Sequence, residues 1–96
     1  MADVQSLRKR IDAIDQRVVE LLNERASVAM EIGRAKAAHG APVYDPEREE
    51  EIMRNVTSTM DGPMSPQAMG RVFERIIDET RSVERLVAGT DNTRKG

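Results

Sequence analysis

An unbroken helical period runs from Asp3 to about His39, and a compact monomer of this size cannot contain it. Val4, Leu7, Ile11, Ile14, Val18, Leu21, Val28, Ile32 and Ala35 fall on one stripe in steps of mostly three and four. No proline interrupts the stretch, and its one glycine is Gly33. Asp3 suits the N-cap, and His39-Gly40 followed by Pro42 suits the stop. Such a helix would be about 54 Å long, whereas a compact globule of this chain length has a diameter of roughly 32 Å. The helix is therefore expected to pack along a second copy of the chain, and the protein to be a dimer.

Two cations break the apolar pattern. Arg25 shares the heptad phase of Val4, Ile11, Val18 and Ile32. Lys36, eleven positions on, lies about 20° around the helix and roughly 16 Å along it. Cations facing an interior need an acidic partner or a bound anion. Both outcomes are open at this level: a salt bridge to one of the 17 acidic residues, or an anion site. Arg8 stands about 100° away from Arg25, so the two cannot serve one site within a chain. Crossing helices in a dimer would let Arg8 reach the other copy's site.

Composition narrows the partners. A net charge of −2 without a basic stripe argues against nucleic acid, and Tyr44 and Phe73 as the only aromatics give no stacking platform. No cysteine and a single histidine argue against disulfides and against a metal site. No apolar run approaches membrane-spanning length and no signal-peptide pattern is present, so a soluble cytoplasmic protein is expected.

The loop after His39 leads to a second helix with Asp45 as N-cap and Pro46 at its first position, running to about Thr59 with Ile52, Met53 and Val56 as its apolar face. Asp45, Arg48, Glu49 and Ile52 recur at three- and four-residue spacing and can share a face. An N-cap with ordinary surface pairs explains the same residues. Ser65 and Pro66 open a third helix whose inward face reads Met69, Val72, Phe73, Ile76, Ile77, Thr80, Val83 and Glu84. Arg81 is a candidate partner for Glu84. The folded domain is expected to span residues 1–88, with 89–96 a disordered, small and polar tail.

The series Leu7-Arg8-x-x-Ile11-Asp12-x-Ile14-Asp15, Leu21-Leu22-x-Glu24-Arg25, Gly33-Arg34-Ala35-Lys36, Val43-Tyr44-Asp45-Pro46-Glu47-Arg48-Glu49 and Phe73-x-x-Ile76-Ile77-x-x-Thr80-x-x-x-Glu84 resembles the all-helical class of chorismate mutases. The resemblance spans residues 4 to 88. It implies an all-α fold of three helices per chain, long, short and long, in an intertwined six-helix homodimer. Each of two sites would be completed by Arg8 from the other chain. By the same resemblance Arg25 and Lys36 are the same-chain cations, and Asp45, Arg48 and Glu49 form the loop and second-helix group, with Glu49 and the Asp45 region meeting the ring hydroxyl. Thr80 and Glu84 complete the set, and Ile32, Ile52 and Ile77 form apolar wall. Arg81 departs from the family, some members of which have a small apolar residue there.

What the resemblance implies chemically is a one-step pericyclic rearrangement of chorismate to prephenate, without cofactor, metal or nucleophile. Arginines would clamp the two substrate carboxylates. Lys36 and a protonated Glu84 would donate hydrogen bonds to the ether oxygen as it gains charge, with Arg25, Lys36 and Glu84 as the catalytic group. Two rival readings remain at the sequence level: an isochorismate pyruvate lyase-like activity in the same fold, and a helical dimerisation or regulatory module without chemistry. A free-standing enzyme and a domain of a bifunctional shikimate-pathway protein are equally compatible with the residues.

Overall fold

The computed structural model describes residues 3–58 and 62–93. Three helices account for them: α1 (Val4–Ala38), α2 (Pro46–Ser58) and α3 (Pro66–Thr93), of 35, 13 and 28 residues, and no strand occurs among the described residues. Each start is set locally. The Asp3 carboxylate accepts from the Ser6 N–H at 2.7 Å, Asp45 from the Arg48 N–H at 3.2 Å, and the Ser65 hydroxyl from the Ala68 N–H at 3.0 Å. The Ser6 backbone N–H does most to hold the Asp3 carboxyl below the usual carboxylate range. Gly40 ends the first helix with φ at 68°, a left-handed conformation that glycine adopts at no steric cost.

α3 is the middle element, with α1 and α2 each packed on it. The molecule is long and thin, 62 × 26 × 14 Å with a radius of gyration of 17.2 Å. Its buried apolar side chains are few: among the described residues only Ala29, 3% exposed, and Ile77, 7%, form the core. α1 does not meet α3 through its apolar stripe. Contact is made through small residues, with Ala29 and Gly33 buried, while Leu21 stays 61% exposed and Ile11, Ile14, Val18 and Val28 are exposed with it. An added Cβ on Gly33 would lie 2.9 Å from the Glu84 carbonyl oxygen and 3.1 Å from its Cα. Glycine is what lets α1 approach α3 this closely. Gly70 plays a softer version of this part against α2, where a Cβ would meet the end of the Met53 side chain at 3.3 Å.

α3 continues through Gly89 to Thr93, past the residue-88 limit expected for the domain. One glycine costs a helix only about 1 kcal/mol, and no proline follows to stop it. The remaining expected tail residues, 94–96, lie outside the described residues, as does Thr59 at the expected end of the second helix.

Candidate active site

In a hollow lined by all three helices, Arg25 and Lys36 from α1 turn toward Thr80 and Glu84 from α3. A cavity of about 440 Å³ opens over them, walled by Val28, Ile32 and Ile52, with Arg48 of α2 at its edge. A narrower recess of about 60 Å³ continues from it past Asp45, Glu49 and Arg81. The helical phase that pairs Arg25 with Lys36 in the sequence therefore reaches the same hollow, and every expected site residue except Arg8 lines it or its recess. Arg8 is exposed on the projecting part of α1, about 26 Å along the axis from Arg25.

The polar contacts within the site are specific. Arg25 donates a short hydrogen bond to the Thr80 hydroxyl, a neutral partner that leaves its charge uncompensated at that contact. Lys36 donates to the Val43 carbonyl at 2.9 Å, tying α1 to the loop it leads into, and its Nζ stands 3.5 Å from Glu84 Oε1. That distance is within ion-pair reach but the two groups are not aligned for a hydrogen bond, and Glu84 Oε1 is buried without a hydrogen-bond partner among the described residues. Asp45 spends an oxygen on capping α2, and Arg48 reaches outward to Glu51 at 2.5 Å in a solvent-exposed pair. For these two residues the cap-and-surface-pair explanation describes the contacts made.

Arg81 does not pair with Glu84. It takes Glu49 in a bidentate grip, Nε to Oε2 at 3.0 Å and a terminal nitrogen to Oε1 at 2.5 Å, with Asp78 at 3.5 Å. Its guanidinium lies 5.1 Å from the centre of the Tyr44 ring. The Glu49 hydrogen bonds raise the Arg81 pKa further above an already high value. Residues 81 and 84 both lie on α3, and Glu84 points toward Lys36, so geometry rather than sequence spacing selects the pair. Sequence reasoning passed over Gly33 and the Val43 carbonyl. The lone glycine in a long helix was the available signal for the first, and a backbone oxygen leaves none for the second.

A larger hollow of about 560 Å³ lies on the other side of α2, between it and α3, but Glu49, Glu50, Glu74 and Asp78 line it against Arg54. Its charge is wrong for an anion. The smaller cavity, with Arg25, Lys36 and Arg48, is the one suited to carboxylates. No group of acids and histidine capable of holding a metal ion occurs among the described residues, and no helix there is long and apolar enough to cross a membrane.

Fold and cavity together define an all-helical protein with a pocket lined by three cations, Arg25, Lys36 and Arg48, and two acids, Glu24 and Glu84. The family model for chorismate mutase type II matches residues 7–85, and the chain belongs to that family, a family of isomerases. It is 36% identical over 91 residues to the bifunctional chorismate mutase/prephenate dehydratase of Aquifex aeolicus, covering 91% of this chain and 25% of that protein. A chorismate mutase of Methanocaldococcus jannaschii is 29% identical over 80 residues, covering 82% of this chain and 81% of its own. Form II of the chorismate mutase of Thermus thermophilus superposes with a TM-score of 0.84 at 34% identity, over 85% of this chain and 93% of that one. The chain spans about a quarter of the length of the bifunctional relatives it matches.

Proposed function

We propose that this chain catalyses the rearrangement of chorismate to prephenate, a step of aromatic amino acid biosynthesis, in the cytoplasm and as a homodimer. The observation that carries the reading is the convergence of Arg25, Lys36 and Arg48 on one apolar-walled cavity that also holds Thr80 and the Glu84 oxygen that lacks a hydrogen-bond partner.

In this reading Arg25 and Arg48 hold substrate carboxylates. Arg48 would exchange its exposed contact with Glu51 for one of them, a small loss because exposed pairs are worth at most about 1 kcal/mol. Ile32 and Ile52 press the enolpyruvyl arm over the ring, so that orientation lowers the barrier. Lys36 and a protonated Glu84 face the ether oxygen and donate to it. They help because that oxygen carries more charge in the transition state than in bound chorismate. Asp45 and Glu49 take the ring hydroxyl.

Arg8 supplies a further cation across the dimer. The exposed apolar stripe of α1 supports this, since a second copy laid along it would cover Ile11, Ile14 and Val18 and bring Arg8 with it. The test is loss of chorismate ultraviolet absorbance on adding the purified chain, with prephenate identified as phenylpyruvate after acid treatment. Release of pyruvate instead would mark a lyase, and unchanged chorismate would refute the assignment.

A further inference from the structure

We propose that Arg81 is a positioning residue that sequesters the charge of Glu49, keeping the cationic pocket open to a substrate's carboxylates. The inference rests on the proposed reading of that pocket as a carboxylate clamp.

Glu49 shares the 60 Å³ recess with Arg25, Lys36 and Arg48. Asp45, Glu84 and Arg81 line the recess too, so Glu49 is one of three carboxylates beside these cations, and a pair between it and any one of them would compete directly with a bound anion. The structure prevents this. Both Glu49 oxygens are engaged by Arg81, at 3.0 and 2.5 Å, in the side-on geometry that only arginine provides. Arg81 is itself restrained on three sides: by the Tyr44 ring at 5.1 Å, by Asp78 at 3.5 Å, and by its place on α3 next to Thr80, the residue that accepts from Arg25. The two side chains are 22% and 25% exposed, so solvent only partly screens the pair. Glu49 also lines the acidic groove beyond, where Glu50, Glu74 and Asp78 outnumber Arg54 and would repel it if it swung outward. Without Arg81, like charges push Glu49 inward and the clamp cations pull it. Arg81 thus keeps one anionic residue at the wall of a cationic site without letting it neutralise that site.

The test is a suppressor pair. Arg81→Ala is expected to raise KM for chorismate about tenfold, the low end for an opposite charge entering contact range, with kcat within threefold of wild type. Adding Glu49→Gln to Arg81→Ala should bring KM back to within threefold of the Glu49→Gln single variant, and Arg81→Lys should fall between wild type and Arg81→Ala. The Kd of a simple dicarboxylate, succinate, measured by calorimetry at low ionic strength, should follow the same order. Additive effects, a fall confined to kcat, or absence of succinate binding by the wild-type chain would each overturn the role given to Arg81. Failure of the wild-type chain to convert chorismate, with succinate binding still weakened in Arg81→Ala and restored by Glu49→Gln, would count against the proposed reaction alone. If Arg81→Ala does not fold, Arg81→Gln, which keeps one donor for Glu49, carries the comparison.

Discussion

Lys36 Nζ stands 3.5 Å from Glu84 Oε1, close enough for attraction yet with the carboxyl oxygen buried and lacking a hydrogen-bond donor. A buried polar atom left unsatisfied costs about 1–3 kcal/mol. In the proposed reaction both groups turn to the ether oxygen. Glu84→Gln keeps the shape and a donor and should retain kcat within about tenfold, whereas Glu84→Ala should lose about a hundredfold, as for deletion of an oxyanion donor. Steady-state kinetics on folded protein checks this, and equal kcat in the two variants would remove Glu84 from the chemistry.

Arg25 bonds a neutral hydroxyl, so its removal should harm binding of the anion more than it harms the fold. Arg25→Ala is expected to lower kcat/KM at least tenfold, corresponding to about 1.5–3 kcal/mol for a charged hydrogen bond, while the melting temperature changes little or rises. A variant that unfolds but keeps full activity per folded molecule would make Arg25 a structural residue.

The apolar stripe of α1 predicts an obligate dimer. Covering half a dozen of its exposed Leu, Ile and Val side chains contributes on the order of 10 kcal/mol before association entropy. Sedimentation equilibrium should show two chains at micromolar concentration, and the unfolding midpoint should rise with protein concentration. A folded, active monomer would exclude this arrangement and the role of Arg8 together.

Mixing Arg8→Ala and Arg25→Ala chains provides a direct assay for that role. With random exchange in equal amounts, half the dimers are mixed and each has one intact site, so activity should recover to about a quarter of wild type. Exchange confirmed by mass-tagged chains, without recovery, would place Arg8 outside the site.

Gly33 stands under Glu84 with no space for a methyl group. Alanine ordinarily favours a helix over glycine by about 1 kcal/mol, yet Gly33→Ala must push α1 away from the α3 backbone and carry Lys36 off Glu84. Its kcat should fall at least tenfold, with helix content by circular dichroism unchanged. A more stable variant with wild-type kcat would show that the contact tolerates separation.

The helices and their starts were legible from residues alone because each cap is local. Asp3, Asp45 and Ser65 bond N–H groups three positions ahead, a distance that helical geometry sets wherever the helix sits. The alignment of Arg25 with Lys36 follows from the same periodicity. Which charges meet across helices does not. Arg81 takes Glu49 rather than Glu84, and α1 touches α3 by Ala29 and Gly33 rather than by its larger apolar residues. Those contacts depend on the rotation and closeness of one helix against another, which are set where backbones can approach most nearly. Here that place is Gly33 against Glu84, and its consequence is an apolar face of α1 left uncovered, with Leu21, Val28 and Ile32 of that face lining the cationic cavity.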